Sequence, residues 1–468
     1  MAVKIINCPS WVMEEEKEIP VALSADVYLE RIKILQERMK DNKLDFVIVY
    51  GDREHFASIE YFTRYDCRFE EGLFILSRDG ERTIVVGNEG EAYSYYIPFE
   101  INRIRYRHFS LQGQPKESSP SLTEIFKQVG IRADSKIGIV GYKYFEAGED
   151  GAVDDAIYHF DIPEYILYEL FKIADRKNVI NFTKEITGLP DGIRMTVRDP
   201  REIAFVEYQA IKTANVIKRL LKAAKPGMTE TEIASYARAD LTPTQMYSLV
   251  NCTPLSISLG LRSPDPNLKM TLGEVFGLCY SLRGSLCCKV GVAAYDESTI
   301  CDRLKGKIES FYMKHWLSVA TWFETVGIGV TGGEVYEAVM NIVGAPEFGV
   351  ALNPGHYISM DEWTNSNVRK DSKIPFRSGS VLQSDIIAAS KDPVMTSICE
   401  DTIVLADIDL RTKLKEMYPN VYDRIEKRRR FMKEVLNIDI NEDVLPMSSL
   451  SGVMFPYMLD TSLIYSKA

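Results

Sequence analysis

The sequence predicts an α/β domain followed by an α+β domain, and three observations carry that expectation. From about residue 25 to 190, helical patterns alternate with short β runs: DFVIVYG, EGLFILS, RTIVVG, NRIRYR, KIGIVG and NVINF. From Asp199 onward the pattern changes, to capped helices separated by paired β segments. Between the two, LPDGIR at residues 189–194 reads as a link. The chain then divides into an extension over 1–24, an α/β domain over 25–190, a second domain over 195–405 and a tail over 406–468 that packs on the body.

Each element has a local cause. No glycine-rich GxGxxG turn follows the first strand of the α/β domain, so dinucleotide binding is poorly supported. Asp199 is the N-cap of a long helix, with Pro200 at the first helical position and Glu202 in the first turn. Ile203, Val206, Ala210, Ala214, Ile217 and Leu221 recur at helical spacing behind them, and Lys225-Pro226-Gly227 ends the run. Capping boxes at Thr229 with Glu232 and at Thr331 with Glu334 open two more helices. EVFGLCYSL and SLCCKVGVA flank a turn at Arg283 and Gly284 and predict a hairpin, while GSVLQSDII and ICEDTIVLAD each predict one strand. In the tail, RIEKRRRFMKEVL predicts a helix whose KRRR run lies on a solvated face.

Composition narrows the class of function. The 468 residues are 46% apolar and 26% charged, enough for a large core. A net charge of −11 disfavours nucleic acid as a partner. No run is long and apolar enough to span a membrane, and the first residues lack the basic-then-apolar pattern of a secretion signal, so a cytoplasmic location is expected. The eight cysteines show neither a disulfide framework nor a CxxC zinc pattern.

The order of these features resembles a known family. The capped helix followed by KPGMTE, the hairpin, the GH pair at 355–356 and two closing acidic strands resemble the pita-bread superfamily of aminopeptidase P, prolidase, methionine aminopeptidase and creatinase. YGDREHFASIEYFTRYDCRFEEGLFIL resembles the small domain that precedes the catalytic one in aminopeptidase P and creatinase. The resemblance covers about residues 25–405 and implies a pita-bread second domain and a homodimer.

It also implies where a site should lie. Metal-dependent members hold two divalent cations with two aspartates eleven positions apart on the hairpin, one histidine and two glutamates, and the water shared by the metals becomes the nucleophile. The matching positions here are Gly277, Cys288, His356, Asp385 and Glu400. Two ligand positions, Gly277 and Cys288, have therefore lost the carboxylate, and a dinuclear centre is not expected. Two alternatives stand. Cys288 as thiolate with His356, Asp385 and Glu400 makes a four-ligand set suited to one divalent ion, zinc or manganese; otherwise the site is metal-free, as in creatinase, with His356, Asp385 and Glu400 as catalytic groups. The histidine that creatinase uses just before the hairpin is missing from RSPDPNLKM.

Trp363 stands where peptidase members carry a second histidine, and with Tyr357 it is expected to wall a substrate pocket. Arg68 is expected to reach the site of a neighbouring subunit. His55, His108, His159 and His315 are read as structural. The function implied is hydrolysis of a small amide, short peptide or other C–N substrate. The rivals are a catalytically silent binding protein, like the pita-bread domains of histone chaperones, and an Xaa-Pro aminopeptidase with substituted ligands.

Overall fold

The computed structural model describes residues 2–146, 155–238 and 243–468. Two units emerge: Leu23–Met195 forms one, and Met1–Ala22 with Thr196–Ala468 forms the other. The first strand of the chain, β1 (Val3–Asn7), is thus part of the second unit.

In the Leu23–Met195 unit the six β runs all become strands of a single sheet. They are β2 (Phe46–Gly51), β3 (Gly72–Ser77), β4 (Arg82–Val86), β5 (Asn102–Arg105), β6 (Ile137–Val140) and β7 (Val179–Asn181), in the order β5-β4-β3-β2-β6-β7. β2 pairs antiparallel with β3 and parallel with β6. Every residue of β2 is buried, which explains its unbroken apolar run: a central strand covered on both faces has no polar side to show. One core joins Ile48, Leu73 and Ile139 of the sheet to Ile125 and Phe126 of the Leu122–Gln128 helix.

The other unit is built from antiparallel sheets. β8 (Leu249–Asn251), β9 (Val275–Leu282), β10 (Ser285–Val292), β13 (Ala388–Lys391) and β14 (Val394–Glu400) make five strands in the order β13-β14-β10-β9-β8. β11 (His356–Tyr357), β12 (Val381–Gln383), β15 (Thr402–Leu405) and β16 (Val444–Pro446) make four, in the order β11-β12-β15-β16. β17 (Leu463–Lys467) pairs antiparallel with β1, so the two ends of the chain close on each other. The Pro200–Ala223 helix packs on β9 and β10, and its cap is as expected: Asp199 and Glu202 satisfy each other's backbone N–H groups.

Two expectations need correction. ICEDTIVLAD is not one strand: β14 ends at Glu400 and β15 begins at Thr402, in a different sheet. The break falls at Asp401, whose carboxylate turns inward to the Lys289 ammonium at 2.7 Å and to the Gly452 N–H at 3.0 Å. The KRRR run is not wholly solvated either. Lys427 and Arg430 are exposed, but Arg428 and Arg429 of the Pro419–Glu434 helix are buried. Arg428 lies between two carboxylates, 3.0 Å from Glu16 and 2.9 Å from Glu207, and Arg429 donates to the carbonyls of Asn441 and Glu442. Guanidinium groups enter a core where carboxylates and carbonyls replace their water. Among the described residues, no helix is long and apolar enough to cross a membrane.

Candidate active site

The site begins with how His356 is held. Gly355 has φ +118°, and a Cβ there would stand 2.8 Å from Trp322 Nε1 and 3.0 Å from the Gln383 carbonyl oxygen, so only glycine fits. Trp322 donates Nε1–H to the Pro354 carbonyl at 2.9 Å, and His356 pairs with Gln383 across β11 and β12. The side chain is completely buried. Its Nδ1 lies 3.1 Å from the Tyr357 carbonyl, an acceptor, which assigns the proton of the neutral ring to Nδ1 and leaves Nε2 facing the carboxylates.

Three carboxylates surround Nε2. Glu362 Oε1 lies at 3.1 Å, Glu400 Oε1 at 3.5 Å and Asp385 Oδ2 at 3.9 Å. Glu400 ends β14, directly opposite Cys288 of β10, and Asp385 follows β12. Neither His356 Nε2, Asp385 Oδ1 nor Glu400 Oε1 has a well-aligned hydrogen-bond partner, although all three are buried. Burial opposes the charge on His356, but Glu362, Glu400 and Asp385 outweigh it and hold its pKa well above the usual range. Burial and the Asp385 charge push Glu400 well up. Asp385 is pushed up to about 6, by burial first, with His356 pulling it down and Glu362 pushing it further.

Glu362, Asp385 and Glu400 line one end of a cavity of about 330 Å³, with His356 buried behind them. Gly277, Cys279, Cys288 and Val290 of the hairpin form one wall, and Ile257, Leu261 and Leu352 extend it with hydrocarbon. Trp363 lines it too, and stacks on His356 with ring centroids 4.2 Å apart and planes at 21°. The hairpin register puts Cys288 opposite Cys279 and Val290 opposite Gly277, so all four share the cavity face. Cys287 points the other way, toward Asp401 at 3.5 Å.

His356, Asp385, Glu400 and Trp363 are therefore brought together. Among the described residues, the group whose ligand atoms all lie within 4.8 Å of one another is His356, Glu362 and Glu400. Cys288 is on the wall but outside that group. Tyr357 does not line the cavity. It alternates away from His356 into the core, with Phe376 at 6.1 Å between ring centroids. Arg68 belongs to the other unit, where it pairs with Asp66 at 3.0 Å. His315 is a satisfied core residue: its ring nitrogens lie 2.8 Å from the Ile386 carbonyl and 2.8 Å from Ser397 Oγ.

Glu362 was not singled out by the sequence. The available signal was the acidic pair Asp361-Glu362 soon after the histidine, and the missing step was the chain reversal. Thr364 N–H bonds back to the Tyr357 carbonyl at 3.0 Å, and Tyr357 N–H to the Asn365 carbonyl at 2.7 Å. That fold-back carries Glu362 and Trp363 onto the imidazole.

The donor set fits one divalent ion: three buried atoms without aligned partners, an imidazole nitrogen and carboxylate oxygens of type suited to zinc or manganese. The two hairpin positions where the resemblance expects further carboxylates hold Gly277 and Cys288, and a Cβ on Gly277 would stand 3.0 Å from Val290 Cγ2 and 3.2 Å from Ile257 Cδ1.

The fold is that of a pita-bread domain with an α/β domain. The first domain is of the creatinase/prolidase N-terminal type, whose family model matches residues 31–146. Solved structures similar to the chain include an Xaa-Pro dipeptidase from Bacillus anthracis, 13% identical, covering 82% of this chain and 96% of that one with TM-score 0.61. The prolidase from Pyrococcus horikoshii is 15% identical over 81% and 95% of the two chains, with TM-score 0.61. A His243Ala form of Escherichia coli aminopeptidase P is 13% identical over 82% and 93%, with TM-score 0.55. No curated protein matches the chain. At these identities the likeness is one of fold.

Proposed function

We propose that the second unit is a hydrolase of a C–N bond in a small amide or short peptide with an apolar body, using one divalent ion in place of the two implied by the resemblance. The observation that carries this reading is the convergence of His356, Glu362, Asp385 and Glu400 on unpartnered atoms at the end of an otherwise apolar cavity. The His356 imidazolium can offset only one of the three carboxylates around it, and a bound cation would supply the positive charge that the cluster lacks.

His356, Glu362 and Glu400 are the residues that would hold the ion, with Asp385 beside them. Such an ion would supply Lewis acidity toward a carbonyl and lower the pKa of a bound water. Asp385, 3.9 Å from His356 Nε2, is placed to take a proton from the attacking water at a carboxylate oxygen and return it to the departing amine. Trp363 covers the imidazole face and keeps bulk water off the cluster. Ile257, Leu261 and Leu352 take the apolar part of the substrate. The same reading has the protein act as a cytoplasmic homodimer in which Arg68 of one copy reaches the cavity of the other.

A second reading has its own support. The hydrocarbon packed against Gly277 suits a domain that has given up the chemistry and binds a ligand without turning it over. The structural likeness to Xaa-Pro dipeptidase makes Xaa-Pro peptides the first substrates to try.

The deciding experiment is elemental analysis of the purified protein and of His356→Ala, followed by hydrolysis assays on Xaa-Pro dipeptides and on N-acyl amides. About one ion per chain, lost in the variant together with an amidase activity, is the expected result. Two ions per chain would sink the mononuclear assignment. No ion and no turnover after incubation with zinc or manganese would leave the binding protein.

A further inference from the structure

Cys279 and Cys288 form a pair that the proposed hydrolysis does not use. They stand directly opposite each other on adjacent antiparallel strands, and both line the cavity. The turn Arg283-Gly284 closes on the pair Leu282 and Ser285. In a two-residue hairpin that closing pair exchanges hydrogen bonds, and the kind of pair alternates from there, so Cys279 and Cys288 occupy a non-hydrogen-bonded pair. Cα atoms of such a pair are about 4.5 Å apart with side chains on the same face, inside the span of roughly 4.4–6.8 Å that a disulfide bridges. Both side chains leave the hairpin on the cavity face, opposite each other across the two strands.

The other cysteines are placed differently. Cys287 and Cys399 lie behind the hairpin with Lys289 and Asp401, and Cys252 lies beside Glu230. Of the six buried cysteines, only Cys279 and Cys288, both 6% exposed, line this cavity. A small molecule in the cavity therefore reaches these two sulfurs and none of the other buried ones.

We infer that Cys279 and Cys288 are a dithiol modification site for small peroxides, closed to a cross-strand disulfide by a molecule entering the cavity. One sulfur attacks a peroxide oxygen, the O–O bond breaks, and with hydrogen peroxide a sulfenic acid and one water form. The second sulfur then attacks the sulfenic sulfur, the S–O bond breaks, and hydroxide leaves with the second thiol's proton as another water. Two thiols lose two electrons in all, and one peroxide becomes two waters. The bridge stiffens the wall beside Glu400, the strand partner of Cys288, and a dithiol reductant reverses it.

The test uses the full-length protein, reduced, desalted and treated in its folded state with hydrogen peroxide, then alkylated in denaturant and analysed by mass spectrometry. Trypsin cuts after Arg283 and separates the two cysteines, so a bridge joins peptide Met270–Arg283 to peptide Gly284–Lys289. The expected result is a fall in alkylated thiols from eight to six, with that peptide pair linked and eight restored by dithiothreitol. Because Cys287 shares the second peptide, Cys287→Ser should keep the link and Cys279→Ser should abolish it. Eight alkylated thiols after treatment, oxidation to sulfinic acid without a link, or a link that Cys287→Ser removes would each overturn the inference. The link in wild type and in Cys287→Ser decides the matter even if Cys279→Ser fails to fold.

Discussion

Gly277 shows how much one residue can decide about a site, and how little of that decision its identity reveals. The sequence exposed the missing carboxylate, because an aspartate position was occupied by glycine. It did not expose the neighbours together: Val290 faces Gly277 across the hairpin, while Ile257 comes from the separate Pro254–Leu259 helix. Restoring the carboxylate should therefore fail. We predict that Gly277→Asp combined with Cys288→Asp still holds no more than one ion per chain by elemental analysis, and that it unfolds at lower denaturant, because overpacking typically costs about 1–3 kcal/mol. Two bound ions would refute this. Glu362 is the converse case, a ligand-type residue that the fold supplies and the family pattern lacks. Replacing it by glutamine removes one carboxylate 3.1 Å from His356 Nε2 while keeping its shape. Zinc affinity measured by competition with a chelator should fall by more than the roughly ten- to hundredfold that losing a hydrogen-bond partner of a metal ligand costs. An unchanged affinity would take Glu362 out of the site.

Elements were more legible than the breaks between them. Continuous apolar runs predicted β2, β3 and β6 because central strands bury both faces, and the capping boxes predicted helix starts because each box satisfies backbone groups locally. ICEDTIVLAD misled because its propensity is strand-like throughout, while the sheet change at Asp401 depends on a partner far away in sequence. That partner, Lys289, is 1% exposed and contacts Asp401 at 2.7 Å, the Leu450 carbonyl at 3.0 Å and Cys399 Sγ at 3.3 Å. The pair pins β10, the junction of β14 and β15, and the tail behind the very strand that carries Glu400. Lys289→Met leaves the Asp401 carboxylate buried without its counter-charge, which should cost about 3–5 kcal/mol of stability. Lys289→Met with Asp401→Leu should recover most of that loss in urea unfolding, since two apolar groups of similar volume need no partner. A double variant as unstable as the single one would show that the ion pair is not what holds this junction.

At the scale of the whole molecule, the ends of the chain are structural parts of the unit that carries the site. The first residues, which the sequence offered only as an extension, pair as β1 with β17 and deliver Glu16 to Arg428, while Arg428 also meets Glu207 of the Pro200–Ala223 helix. No periodicity announces such a triad; its members are single charged residues in three separate segments. It has a thermodynamic signature nonetheless. Burial works against the Glu16 charge, but Arg428 and Lys218 outweigh it and lower its pKa from 4.5 to about 2. Because the folded value lies below the unfolded one, the folded state binds fewer protons between these limits. The associated stability is fully present above about pH 4.5 and is lost as pH falls toward 2. A shift of that size corresponds to about 3 kcal/mol. All four tryptophans, Trp11, Trp316, Trp322 and Trp363, lie in this unit, so indole fluorescence during urea unfolding follows it without contribution from the other. We predict that between pH 5 and pH 3 the wild type loses more of this stability than Glu16→Gln, which starts lower and has no proton to take up at that position. Parallel pH profiles for the two proteins would mean that Glu16 titrates normally and that the extension is held by its strand pairing alone.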